Sequence, residues 1–224
     1  MKTIVFGDIH GHNTWKDILD KESPDKVIFL GDYFDSFNPS LTSKIQLENY
    51  REIKELKNKL GDSCVILLGN HDFHYIDKQE KYSGFRLDTF NLVHNELCED
   101  YKNNIILPIH IMDNIIFSHA GVSKVWMDEV AKVKSLDEIN NIPKENFRFN
   151  FLGGWDPYGN SPTQSPIWIR PMALLNSKFP EYKQIVGHTH FKTPVEQDNI
   201  WFNDSLPDYY IEILDSNITF KSNK

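Results

Sequence analysis

Three apolar runs in the first third of the chain, Lys2 to Phe6, Lys26 to Leu30 and Cys64 to Leu68, are continuous rather than alternating. Unbroken Val, Ile, Leu and Phe over strand length is the pattern of strands covered on both faces. Between them, Asn13 to Lys21 and Ser43 to Leu60 carry apolar residues at helical spacing among Lys and Glu, and Thr42 or Ser43 is placed to cap the second. Strands alternating with helices predict crossover connections and a parallel sheet. Phe85 to Asn103 repeats the helical spacing at Phe85, Leu87, Phe90, Val93, Leu97 and Tyr101. Beyond it the pattern changes. Ile109 to Met112 and Ile115 to Ser118 flank Asp113-Asn114, a pair suited to a tight hairpin turn. Gln184 to Val186 reads as a strand, and Tyr209 to Leu214 with Ile218 to Lys221 reads as a closing hairpin. The early strands look parallel and the late ones antiparallel. That suits an α/β fold, a four-layer αββα sandwich of two facing mixed sheets with helices outside.

Residues 124–182 form the least regular stretch, an insertion that the sequence places facing substrate. Within it, Gly153 to Pro162 mixes turn formers with aromatics, as an ordered functional loop does. Trp155, Tyr158 and Trp168 read as anchors of that loop, with stacking on a substrate ring as the alternative.

With 224 residues, 40% of them hydrophobic, the chain suffices for one sizeable core and demands no second, so residues 1–224 are expected to form one domain. Thr3-Ile4-Val5-Phe6 follows no charged-then-apolar segment, so no secretory signal is expected, and no apolar stretch has the roughly 20 residues of a membrane span. Cys64 and Cys98 fall where a small apolar thiol suffices, and a reducing cytoplasm fits. The net charge of −8 weighs against a stable nucleic-acid complex, whereas bound divalent cations would offset it locally for a small phosphorylated substrate.

Hydrophobic runs repeatedly end in glycine and a burst of metal-ligand residues. Five such segments stand out: Gly7-Asp8-Ile9-His10-Gly11, Gly31-Asp32-Tyr33-Phe34-Asp35, Gly69-Asn70-His71-Asp72, Ser118-His119-Ala120-Gly121 and Gly187-His188-Thr189-His190. Open α/β sheets place their sites at strand C-termini. Asp, Asn and His offer oxygen and nitrogen donors that suit Mn, Fe or Zn, and the lack of clustered Cys removes a thiolate zinc site. Gly7, Gly31, Gly69 and Gly187 precede ligands where positive φ or close backbone approach is needed.

The order of the five blocks resembles the calcineurin-like metallophosphoesterase superfamily, whose pattern runs Asp-x-His, Gly-Asp-x-x-Asp, Gly-Asn-His-Asp/Glu, a lone His, then Gly-His-x-His. The likeness spans Asp8 to His190 and is nearest the protein-phosphatase-like branch of bacterial Ser/Thr phosphatases and diadenosine tetraphosphatases. It implies two divalent metal ions, manganese first, with iron, zinc, nickel or magnesium as alternatives. Asp8, His10, Asp32 and His190 would hold one and Asp32, Asn70, His119 and His188 the other, with Asp32 bridging. It implies hydrolysis of phosphomonoesters by a metal-bound hydroxide, with His71 as the acid for the leaving group and Asp35 orienting it. Ile167-Trp168-Ile169-Arg170-Pro171 resembles the branch's Trp-x-Arg segment, so Arg170, with Asn70 and His71, is expected to hold the phosphate.

Two departures leave the substrate open among phosphorylated small molecules, nucleotides and phosphoproteins. Ser36-Phe37 stands where the branch has Arg-Gly, and Gly-His-Thr-His replaces Gly-His-Thr-Pro. A phosphodiesterase, nuclease or dinucleoside polyphosphate hydrolase is therefore the alternative activity, and a metal-free scaffold of the same fold the alternative class. His12 and His74 read as solvated loop residues, His94 and His110 as structural ones.

Overall fold

The computed structural model describes residues 1–150 and 158–224; the part of the predicted loop at 153–157, Trp155 included, lies outside the described residues. The three apolar runs become β1 (Lys2–Phe6), β2 (Lys26–Phe29) and β3 (Cys64–Ile66), parallel as predicted, with α1 (Thr14–Glu22) and α2 (Ser43–Leu60) between them. The Thr42 hydroxyl accepts the Ile45 N–H at 3.4 Å and caps α2. After β3 come α3 (Asn70–Ile76) and α4 (Leu87–Lys102).

Alternate residues of these strands serve two cores, which explains why the runs are apolar throughout. Ile4, Phe6, Val27, Phe29, Cys64 and Ile66 pack with Trp15, Ile18, Leu47, Tyr50, Ile53, Val93 and Leu97 of the helices. Val5, Ile28 and Val65 turn the other way, toward Ile115, Phe117 and Ile185 of the second sheet. Burying each such side chain contributes about 1.5 to 3 kcal/mol, so both faces hold the strands in place.

The second sheet contains β4 (Ile109–Met112), β5 (Ile115–Ser118), β6 (Lys183–His190), β7 (Val195–Gln197) and β8 (Ile200–Asp204), in the order β4-β5-β6-β8-β7. Finally β9 (Tyr209–Leu214) pairs antiparallel with β1, and β10 (Asn217–Ser222) closes the first sheet as a hairpin. Helix α5 (Pro171–Ser177) packs Ala173 and Leu174 against Val186, Ile200 and Phe202, covering the second sheet from outside. The expected αββα sandwich is present, with one correction. Late strands are not all antiparallel: β6 runs parallel to β5 because the long 119–182 connection returns the chain beside β5 in the same direction, and β8 runs parallel to β6 because β7, antiparallel to β8, comes between them in the chain. That connection holds short helical turns at Trp126–Ala131, Leu136–Asn141 and Lys144–Phe147, and Trp126 and Phe147 are buried. Among the described residues no helix is long and apolar enough to cross a membrane.

Candidate metal centre

The carboxyl ends of β1, β2, β3 and β5 deliver Asp8, Asp32, Asn70 and His119 to one place. Strand β6 does so differently from expectation: it continues through His188 to His190, and a register shift between Val186 and His190 marks the irregularity. Ligand atoms of Asp8, Asp32 and His119 lie within 4.8 Å of one another. His119 Nε2 is 3.3 Å from Asp32 Oδ2 and 3.0 Å from Asn70 Oδ1. His10 Nε2 stands 3.9 Å from Asp32 Oδ2, and the His188 ring lies 5.0 Å from that of His119. His190 lies on the exposed rim, with Nδ1 3.9 Å from Asp204 Oδ2.

Four of these side chains sit on unusual backbone. His10, Asp32, Asp35 and His188 have φ of 42°, 54°, 62° and 63°, the left-handed region that non-glycine residues enter at a cost of about 1 to 3 kcal/mol each. The glycines make room beside them. A Cβ on Gly69 would fall 2.1 Å from Asp32 Oδ1, and one on Gly187 would fall 2.3 Å from Asp8 Oδ1. Asp72 ties the strand-end loops together, accepting the N–H groups of Asp32 and Tyr33 at 2.8 Å and of Gly69 at 2.9 Å.

The donor set fits divalent cations. The carbonyls of Phe34, Leu30 and Asp204 meet Nδ1 of His10, His119 and His190, and a carbonyl only accepts. When neutral, each ring therefore carries its proton on Nδ1 and presents the Nε2 lone pair, the usual arrangement of a metal-ligating imidazole. Among the described residues, His188 Nε2 is buried without a hydrogen-bond partner. Asp8 and Asp32, 5% and 2% exposed, have had their charge taken out of water. With the carboxyls ionised and the rings neutral, the side-chain atoms that meet here are acceptors, and an assembly of buried acceptors needs a cation or protons.

The electrostatics say the same. Burial, and then Asp204, push the Asp8 carboxyl well up. Burial also raises Asp32, but the facing imidazoles of His119 and His71 pull it well below the usual carboxylate range. Burial lowers the His119 imidazole, yet Asp32 and Asp8 carry it up to about 9. Burial and the His119 and Arg170 charges hold the His188 imidazole well down, toward its neutral form.

Beside this centre His71 Nδ1 lies 2.9 Å from Asp35 Oδ2, so the expected acid and its orienter meet. Burial depresses the His71 imidazole, but Asp32 and the Asp35 contact raise it above its ordinary value. Arg170, the residue before α5, donates from Nε to the Tyr158 carbonyl at 3.1 Å and from Nη1 to the His188 carbonyl and Thr189 hydroxyl at 3.3 and 3.1 Å. Nη2 has no hydrogen bond among the described residues. Trp168 stacks on Tyr82 at 4.4 Å and lies 5.4 Å from the His188 ring, so it anchors this wall.

Some residues here escaped sequence reasoning. His74 is not a solvated loop residue: it lies in α3, fully buried, with Nε2 2.7 Å from Asp35 Oδ2. Its burial depends on residues 77–86 folding over it, which local pattern does not disclose. Asp204 lies beside His190 at the end of β8. Ile200-Trp201-Phe202 followed by Asn203-Asp204 repeats the apolar-run-then-ligand pattern of the five blocks, and that signal would have found it.

A sequence model of the calcineurin-like phosphoesterase family matches residues 1–204. The symmetrical bis(5'-nucleosyl)-tetraphosphatase of Buchnera aphidicola subsp. Acyrthosiphon pisum (strain Tuc7) is 29% identical over 163 residues, covering 66% of this chain and 54% of that protein. The enzyme of the same name from Psychromonas ingrahamii is 29% identical over 173 residues, covering 72% and 58%. The chain spans little more than half the length of these curated relatives. Among solved structures, the I115M mutant of a cold-active protein tyrosine phosphatase superposes with a TM-score of 0.63 at 16% identity, covering 100% of this chain and 80% of that one. A protein serine/threonine phosphatase from Saccharomyces cerevisiae with similarity to human phosphatase PP5 gives 0.63 at 14% identity, covering 99% and 79%. At such identities the superpositions speak for the fold.

Proposed function

This chain belongs to the calcineurin-like phosphoesterase family, and from that premise we propose that it hydrolyses phosphomonoesters with the help of two divalent cations. The observation that carries the reading is the buried meeting of acceptors at Asp8, Asp32, Asn70, His119 and His188. Asp8, His10, Asp32 and His190 would hold one ion and Asp32, Asn70, His119 and His188 the other, with manganese as the expected metal. Bound there, such ions supply Lewis acidity to phosphoryl oxygens and acidify water at neutral pH.

The chain's own groups supply orientation and a proton. Two buried carboxylates repel a phosphate, so holding it falls to cationic and amide groups: Arg170, His71 and Asn70. With Nδ1 turned to Asp35, His71 keeps a proton on Nε2 and gives it to the departing alkoxide. Asp35 remains ionised throughout, because its pKa lies below the ordinary carboxylate value: burial raises it, and the hydrogen bonds from His71 and His74 more than offset that.

A second substrate class, dinucleoside polyphosphates, is favoured by the names of the two relatives. The test is turnover by manganese-loaded protein of 4-nitrophenyl phosphate, its bis ester and diadenosine tetraphosphate. Preference for the monoester supports the proposal. Preference for the bis ester overturns it in favour of a diesterase, and preference for the tetraphosphate moves it to the second class. Full metal content with no turnover of any of them defeats the hydrolase reading.

A further inference from the structure

Helix α3 presents His71, His74 and Tyr75 at spacings of three and four residues, so the three side chains share a face. All three meet Asp35. His71 Nδ1 and His74 Nε2 lie 2.9 and 2.7 Å from Asp35 Oδ2, and the Tyr75 hydroxyl donates to Oδ1. Each contact carries its own directional evidence. The Tyr82 peptide N–H donates to His74 Nδ1 at 3.3 Å, so the proton of a neutral His74 sits on Nε2, the nitrogen beside Asp35. The approach is close though off the ideal hydrogen-bond line, and Nε2 has no other partner among the described residues. The Arg86 N–H donates to the Tyr75 oxygen at 3.2 Å, leaving the hydroxyl proton for Asp35.

The surroundings hold this arrangement shut. His74 is fully buried between the rings of Tyr75, Phe85 and Tyr82 at 4.3, 5.3 and 5.8 Å. A Cβ on Gly84 would come within 3.1 Å of Asp35 Cβ and 3.3 Å of His71 Cε1, so this loop presses directly on the pair. Asp35 itself stands on left-handed backbone, with φ 62°. A carboxylate in that conformation, with one contact to His71, would be free to rotate; the hydrogen bonds from His71 and Tyr75 and the close approach of His74 Nε2 fix it.

We propose that His74 and Tyr75 are positioning residues for the proton donor: they lock the Asp35 carboxylate so that His71 keeps its Nε2 aimed at the leaving group. This rests on the proposed ester hydrolysis, and it assigns His74 a role through Asp35 rather than contact with substrate or metal.

The test compares kcat and KM of manganese-loaded, full-length protein on phenyl phosphate, a poor leaving group, and 4-nitrophenyl phosphate, a good one. His71→Ala should lose about 100-fold more on the poor leaving group than on the good one, the scale of general acid catalysis. His74→Ala should show the same one-sided loss, about 10-fold, in kcat with KM nearly unchanged. His74→Gln, which keeps an N–H, should recover most of it. Adding His74→Ala to His71→Ala should cost nothing further, because the effect passes through one residue. Tyr75→Phe removes a single hydroxyl, keeps the ring, and should give a smaller loss of the same kind. It answers the question even where His74→Ala fails to fold. Equal losses on both esters, or additive losses in the double variant, overturn the proposal. If His71→Ala shows the split and neither His74→Ala nor Tyr75→Phe does, positioning alone fails; if His71→Ala shows none, the acid reading falls with it.

Discussion

Two clusters of carboxylate and imidazole lie side by side in this molecule, and each gathers its ligand atoms within 4.8 Å: Asp8, Asp32 and His119 in one, Asp35, His71 and His74 in the other. By composition and spacing both are candidate metal sites. They differ in where their protons lie. In the first, backbone carbonyls occupy Nδ1 of the histidines and turn lone pairs inward, so carboxylates, an amide oxygen and imidazole nitrogens face one another with a cation's position between them. In the second, a hydroxyl and two ring nitrogens surround one carboxylate, which needs nothing more. Proton placement, more than the count of ligand-type residues, separates a metal centre from an acid pair.

The hardest blow to this contrast comes from Asp32→Asn. It should cut bound metal, measured by elemental analysis, and lower turnover by about 10³-fold or more, the several kcal/mol a metal clamp supplies. Asp35→Asn should leave metal content intact while costing about 10²-fold on phenyl phosphate. Metal loss in that variant would erase the distinction. Next in size is a pH effect. With His119 raised to about 9 in the cation-free centre, binding below that pH must expel a proton, so affinity should fall by about tenfold for each unit the pH is lowered. Calorimetry in buffers of different ionisation enthalpy reads that proton, and a flat profile would mean that His119 holds no proton before the metal binds.

The smallest effect belongs to a carboxylate outside both clusters. Asp77, at the end of α3, takes Arg148 Nε at 2.7 Å and Nη2 at 3.3 Å, binding the 142–150 segment to the helix that carries His71. Asp77→Asn should cost about 1.5 to 3 kcal/mol in urea unfolding near neutral pH, the worth of hydrogen bonds to a charged group. Burial raises the Asp77 carboxyl, but the Arg148 contact brings it below its ordinary value. Its contribution is therefore complete above the unfolded carboxylate pKa of about 4 and is lost as pH falls through the lower folded value, so the gap between wild type and variant should close in acid.

Much of the first cluster was legible in the chain because β-strands end where open sheets place ligands, and Asp8, Asp32, Asn70 and His119 each follow such a run. Glycine before them was a readable sign of crowding, as Gly69 and Gly187 illustrate. Parallel pairing of β5, β6 and β8 was hidden, since a return through the irregular 119–182 stretch carries no periodic signal. His74 was hidden for another reason: a histidine on a short helix looks solvated until the distant Tyr82 to Phe85 segment covers it. Cys64 was readable as a buried apolar thiol, and burial indeed pushes it up to about 12.

The pairing of β1 with β9 has a consequence for how the protein is made. Strand β1 spans Lys2–Phe6, yet its antiparallel neighbour begins at Tyr209, and Asp8 receives the N–H of His188 from 180 positions away. A ribosome therefore releases the first strand long before the partner that covers its open edge has been synthesised. Throughout that interval the nascent polypeptide leaves that edge unpaired and has no finished cage for an ion. Closure of the metal centre therefore waits until β6 and β9 have been made.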